Sequence, residues 1–131
     1  MIYKFFYLIQ ILLLIFFLIL FVVGLLYSIF FDRLLRYEYT NHRTEWEKDG
    51  KMSGHLWTAP ESTFLGKMFR TTGLLAKKWA DEKPEWIWED AKGTELYNAF
   101  LLWRRIFFIV ASIFGLIVGG FVAFNFSGFN K

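Results

Sequence analysis

Residues 5–31 form an apolar run without a single charged side chain, interrupted only by Gln10 and Ser28. As an α-helix the run spans roughly 40 Å, against a hydrocarbon core of about 30 Å. The excess has to be taken up by tilt or by helix protruding into the headgroups. A soluble fold of 131 residues offers one domain in which to hide such a segment. It would also have to hide seventeen Phe in a chain that is 56% hydrophobic and 22% aromatic. The mean hydropathy of +0.36 points the same way, to a membrane protein. A disordered chain is more polar than this, and a disulfide scaffold or a cysteine zinc site needs cysteine, of which there is none. The run is about twice the length of a signal-peptide core and no A-x-A site follows it, so it reads as a retained signal anchor.

A second run covers residues 106–124, close to the minimum span. Arg104 and Arg105 precede it and can snorkel to the headgroups, and Trp103 suits the interfacial belt. Asn125-Phe126-Ser127 matches a glycosylation sequon but abuts the membrane, which makes it a chance match. All Asp and Glu, and all Lys and Arg except Lys4 and Lys131, lie between the runs. Arg33, Arg36, Arg43, Lys48, Arg104 and Arg105 flank the central segment close to the membrane. The positive-inside rule therefore places that segment in the cytoplasm and both termini outside. The same arithmetic suits a mitochondrial inner membrane, but no Arg-rich amphipathic presequence is seen. The expected fold is all-α: two transmembrane helices (1–31 and 106–124) forming an antiparallel hairpin, a helical cytoplasmic region (32–105) and a short external tail (125–131).

Between the spans, Leu35, Tyr39 and Trp46 share a helical stripe, and Asp32/Arg36 and Arg43/Glu47 are opposite charges four apart. One helix is expected from the membrane to about Asp49, stopped by Gly50. Thr58 and Glu61 have capping-box spacing around Pro60, so an amphipathic helix is expected over residues 60–79. Its stripe is Phe64, Leu65, Met68, Phe69, Thr72, Leu75 and Trp79, with Lys67, Arg70, Lys77 and Lys78 mostly off it. Such a helix lies on the membrane surface or packs on its neighbours; the spacing suits both. Pro84 marks a break, Gly93 an end, and Thr94 the start of the helix that enters the second span.

Ala111, Gly115, Gly119 and Ala123 fall four apart, a ridge of small residues of the kind that lets membrane helices approach closely. Gly24 and Ser28 repeat that spacing in the first span. Counted from the cytoplasmic edge at 1.5 Å per residue, Gly24 matches Gly115 in depth and Ser28 matches Ala111. Whether the ridge meets the other span or a second copy stays open.

Catalytic chemistry is scarce. No phosphate loop, dinucleotide fingerprint, HExxH or nucleophile elbow occurs. Gly66-Lys67 is followed by Met and so lacks the hydroxyl that a phosphate loop gives to magnesium. Glu38, His42 and Glu45 could present three metal ligands on one helix face, yet the same residues suit an ordinary solvated face. His42 and His55 could titrate near neutral pH. Glu85, Glu89 and Asp90 could do acid/base work, but beside Trp86 and Trp88 they read as a contact patch. No cofactor is expected. A pI near 9.2 and six Trp would suit nucleic acid, but the basic residues alternate with acids and cluster by the membrane, where anionic headgroups account for them. Nucleic acid is therefore not an expected partner.

His42-Arg43-Thr44-Glu45-Trp46-Glu47-Lys48-Asp49-Gly50 after the first span, and Trp103-Arg104-Arg105-Ile106-Phe107-Phe108 at the second, complete a layout. It resembles the small inner-membrane proteins of the universal stress protein B type. The resemblance implies a bacterial inner membrane and a stress role, and supplies no catalytic residue. The expected function is a non-enzymatic accessory or interaction subunit that meets the bilayer, its anionic headgroups, and another membrane protein or itself. The candidate residues are Gly24, Ser28, Ala111, Gly115, Gly119 and Ala123 for helix packing, and Arg33, Arg36, Trp103, Arg104 and Arg105 for the interface. Trp79, Trp86 and Trp88 form the candidate partner surface. The alternative is a homo-oligomeric pore or transporter-like protein with Gln10 and Ser28 facing a lumen. Gln10 is the one strongly polar group in either span.

Overall fold

The computed structural model describes residues 2–128, apart from the side chains of residues 2–6, 69–71 and 124–128. Lys4, Phe69, Arg70, Phe124, the Asn125-Phe126-Ser127 sequon and Lys131 therefore lie outside the described side chains. The described chain is all-helical, with no strand among the described residues. Four α-helices follow in order: α1 (Ile2–Asn41), α2 (Arg43–Lys48), α3 (Phe69–Asp81) and α4 (Ala91–Gly128). Short 3-10 turns lie at Leu65–Lys67 and Glu85–Ile87.

The chain divides into two compact units. One comprises the described residues up to Gly24 and from Arg105 onward. Here α1 and α4 are long and apolar enough to cross a membrane, with mean hydropathies of 3.2 and 2.6 in their most apolar windows. Only 6% and 0% of those windows is buried, so the apolar surface is not the core of a soluble fold. This is the signature of a small membrane protein. The two helices run antiparallel: Gly24 lies against Phe107, while Ile9, Leu12, Leu13 and Phe16 share an apolar cavity of about 200 Å³ with Ile117. The expected depth match of Gly24 with Gly115 does not form. A Cβ on Gly24 would come within 3.3 Å of the Phe107 ring, whereas one on Gly115 or Gly119 would meet nothing within 4 Å. A large ring from α4 fills the space that the small residue of α1 leaves.

The other unit is Leu25–Arg104, so the division falls inside the first apolar run. Phe31, Leu34 and Leu35 of α1 are fully buried in its core. The remainder of the run, residues 5–24, is about 30 Å of helix, which equals the hydrocarbon thickness without tilt. The apolar excess noted in the sequence thus has a use, as the floor of an aromatic core. Trp46, Trp79, Ile87, Tyr97 and Phe100 complete that core, with Phe31 set against Trp79 and Phe100 at ring-centroid distances of 5.6 and 5.8 Å. Each such side chain contributes about 1.5–3 kcal/mol by leaving water.

The helix expected to reach Asp49 instead breaks at His42, whose backbone leaves the helical region at φ −128° and ψ 54°. Tyr39 and Trp46 meet all the same, edge to face at 4.9 Å. Gly50 stops α2 as expected, at φ +95°. Its N–H donates to the Glu47 carbonyl and the Lys51 N–H to the Trp46 carbonyl, the paired bonds of a Schellman ending.

The helix expected over 60–79 begins nine residues late, at Phe69. Tertiary contacts take the residues that would have capped it. Glu61 pairs with Arg43, the Ser62 N–H closes a turn on the Ala59 carbonyl, and the Ser62 hydroxyl bonds to that of Ser53 at 2.7 Å. The amphipathic stripe divides accordingly. Thr72, Leu75 and Trp79 are buried, while Phe64, Leu65 and Met68 face outward at 82%, 64% and 44% exposure.

Candidate functional site

Asp32 is expected to pair with Arg36 but is spent on the loop that follows α2. Its side chain is buried and accepts three backbone N–H bonds, from His55 (2.7 Å), Leu56 (2.7 Å) and Trp57 (2.8 Å). A carboxylate meeting three amides is a strong, charge-assisted clamp. It leaves no room at Gly54, where a Cβ would fall 2.1 Å from the Asp32 carboxyl oxygen. The clamp seats the His55 ring 5.0 Å from that of Phe31, and burial holds the His55 pKa below its ordinary value against the pull of Asp32.

Glu38 is one turn and a half further along α1 and is also inside, at 0% exposure. Its Oε1 accepts the indole N–H of Trp86 at 3.0 Å, and its Oε2 has no hydrogen-bond partner among the described residues. Burial pushes its pKa up to about 8, and the negative charge of Asp49 adds to the shift. Glu38 therefore carries a proton at neutral pH. It forms part of the wall of a cavity of about 190 Å³, together with Asp49, Trp79 and Trp86. Asp49 accepts from Lys78 Nζ at 2.6 Å and from the Trp79 indole at 3.1 Å.

Trp86 joins this cavity to a second network. Its ring stacks on His42 at 4.4 Å, and it also lines a neighbouring hollow with His42 and Asp90. His42 Nε2 lies 2.8 Å from Asp90 Oδ2, and the Tyr37 hydroxyl donates to the same carboxylate. Asp90 Oδ1 accepts the Gly93 N–H at 2.8 Å, which makes Asp90 the N-cap of α4. That bond, and then His42, hold the Asp90 pKa down at about 2. The helix expected to begin at Thr94 thus begins at Ala91. Gly93 is needed inside its first turn because a Cβ there would come within 2.7 Å of the Trp86 ring.

The candidate ligand set Glu38, His42 and Glu45 does not assemble. Glu38 points into the core, His42 turns to Asp90 and Glu45 takes Lys48 at 2.7 Å. Among the described residues no group of three or more His, Asp or Glu is placed to hold a metal ion. The three Trp expected to form a partner surface separate too. Trp79 is 1% exposed and its carbonyl accepts the Tyr97 hydroxyl, Trp86 is half-buried on Glu38 and His42, and only Trp88 is open, at 70%. The acid/base candidates part likewise: Glu85 and Glu89 are exposed, while Asp90 is committed to its cap. At the interface positions Arg33, Arg36 and Arg105 are exposed, and Trp103 is half-buried and stacked on Phe30 at 6.1 Å.

Sequence reasoning missed the Asp32 clamp and the burial of Glu38, which long-range packing alone creates. It also missed the Asp90 cap, although an Asp directly before a helical stretch was the available signal. Comparison of the chain with protein-family models, with curated proteins and with solved structures finds no match to any of them.

Proposed function

We propose that this membrane protein is a non-enzymatic accessory subunit that assembles laterally with another membrane protein through its second span. The observation that carries this is the open face of α4: a Cβ on Gly115, Gly119 or Gly120 would meet nothing within 4 Å. Small residues serve close helix contact in lipid, and here the chain's own first span does not use them. Phe64, Leu65 and Met68 offer a second exposed apolar patch, on the unit between the spans. Flanking charge supports a cytoplasmic position for that unit and external termini, and the resemblance in layout implies a bacterial inner membrane. The stress role is carried by the resemblance in layout described above, which rests on short motifs.

Native mass spectrometry of the protein extracted in mild detergent from its own membrane tests this. A second protein at fixed stoichiometry supports the accessory role. A single closed oligomer of this chain alone contradicts it and favours the pore reading, in which Gln10→Leu abolishes flux. Gln10 is exposed on α1, so the substitution leaves packing unchanged.

A further inference from the structure

We propose that the turn carrying Phe64, Leu65 and Met68 seats on an anionic phospholipid surface, with its apolar side chains among the headgroups and Lys67 against the phosphates. The spacing of residues 60–79 suits a membrane surface and packing on neighbours alike, and only part of the stripe is used for packing. Thr72, Leu75 and Trp79 are buried, while Phe64, Leu65 and Met68 are turned outward.

The backbone fixes that outward display. Gly66 lies among the exposed residues and is itself buried. Its carbonyl accepts the Ser53 N–H at 2.9 Å, and its N–H donates to the Thr63 hydroxyl at 3.0 Å. A Cβ on Gly66 would come within 2.5 Å of the Lys51 carbonyl oxygen. The Thr72 hydroxyl donates to the Ser53 carbonyl at 3.1 Å, which ties the start of α3 to the same segment. A turn held by its main chain in this way keeps Phe64 and Leu65 on its outer side.

Charge says which surface suits them. Residues 62–80 contain Lys67, Arg70, Lys77 and Lys78 and no acid, whereas residues 81–90 contain five acids and one lysine. Lys67 and Lys77 are exposed, and Leu74 on α3 is exposed as well. Lys78 is held by Asp49. Exposed apolar side chains interleaved with lysine match a surface of anionic headgroups over hydrocarbon. Such a surface is at hand, because both ends of the unit that carries the turn continue into apolar helices. The inference rests on those helices lying in lipid and does not need the lateral contact proposed for α4.

The test uses the full chain in nanodiscs of phosphatidylcholine, alone or in equal parts with phosphatidylserine. The chain has no cysteine, so Leu65→Cys carries a single environment-sensitive nitrobenzoxadiazole label. Trp88→Cys, on the exposed acidic segment, is the comparison. With phosphatidylserine present, the label at position 65 is expected to shift to the blue and to be quenched by headgroup-spin-labelled lipid, and the label at position 88 to do neither. Phosphatidylcholine alone lowers the quenching, and Lys67→Ala lowers the ratio of seated to free turn about fivefold. Phe64→Ser, at an exposed position, lowers it too.

Equal quenching at the two positions overturns the proposal, and so does quenching at position 65 that ignores phosphatidylserine. A blue shift without quenching also overturns it, because protein rather than lipid then covers the turn. Leu116→Cys with acyl-chain-spin-labelled lipid reports the spans separately. Quenching there without quenching at position 65 removes the lipid seat of the turn alone. Quenching at neither removes the membrane reading, and the seat with it.

Discussion

The Trp86 indole N–H donates to Oε1 of Glu38 at 3.0 Å and leaves Oε2 of the same carboxyl without a hydrogen-bond partner among the described residues. The pair lies between two networks: the acidic cavity with Asp49 and Lys78, and the contact of His42 with Asp90, the residue that caps α4. Because burial raises the Glu38 pKa to about 8, folding favours its neutral form. The unfolded chain binds fewer protons than the folded one between the ordinary carboxyl pKa and about 8. The stability Glu38 contributes is therefore fully present below its ordinary pKa of 4.5 and lost as pH rises through 8. The loss is on the order of a few kcal/mol. Thermal unfolding of the detergent-solubilised chain between pH 5 and 9 is expected to show it, and Glu38→Gln to flatten it.

Asp32 and Gly54 form a clamp that admits no side chain at the glycine. Gly54→Ala is expected to cost roughly 2 kcal/mol or more, because a buried carboxylate has to give way. Asp32→Asn is expected to cost about 2–3 kcal/mol, since an amide cannot accept from three N–H groups as a carboxylate does. Limited proteolysis of the 50–64 loop checks both: cleavage there should accelerate in each variant, and unchanged cleavage would show that the clamp does not hold the loop.

Asp90 acts on α4 through the Gly93 N–H. Asp90→Ala is expected to raise hydrogen exchange at the first turn of α4, residues 91–94, while leaving α3 protected. Its pKa near 2 sets the sign of the acid response. The contribution is present above the ordinary carboxyl pKa of 3.8 and fades as pH falls towards 2. A first turn equally protected at pH 2 and at pH 5 would rule this out.

Trp79 and Trp88 separate core from surface. Trp79→Ala is expected to destabilise the inter-span unit by about 3–5 kcal/mol, and Trp88→Ala to change stability by no more than about 0.5 kcal/mol. Guanidinium unfolding followed by the remaining tryptophan fluorescence distinguishes them.

These contrasts show what the sequence makes legible. The two spans are written in unbroken apolar runs, and the Gly50 stop needs only the local backbone, so both are readable from one segment alone. Glu38 is different. Its spacing with His42 and Glu45 is that of a solvated helix face, and only the return of Trp86 over it, forty-eight residues later, makes it internal. Thr58 and Glu61 carry the pattern of a helix start, yet Arg43 takes Glu61 and a turn closes between Ala59 and Ser62. Trp79 and Trp88 look alike in the chain, and α3 packing alone decides that one is core. Local signals named the elements; the site lies where distant elements compete for the same polar groups.

Gly24 and Gly115 carry opposite expectations. Gly24→Leu is expected to disrupt the span pair, since Phe107 already fills that space at 3.3 Å. Gly115→Leu and Gly119→Leu meet open space and are expected to leave the chain folded while disturbing its assembly. Migration in mild detergent reads the assembly, and unchanged migration for both α4 variants would contradict the lateral-contact role.

The central claim is that the exposed apolar face of α4 lies in lipid. The chain has no cysteine, so a single introduced one reports alone. Leu116 is 78% exposed in the structure and Glu89 is exposed on the inter-span unit. Leu116→Cys and Glu89→Cys are to be treated with a membrane-impermeant maleimide in intact and inverted vesicles. The account predicts that Glu89→Cys reacts only in inverted vesicles, and that Leu116→Cys reacts in neither until the chain is unfolded in detergent. Rapid labelling of Leu116→Cys in sealed vesicles would show that α4 is bathed in water and would contradict the account.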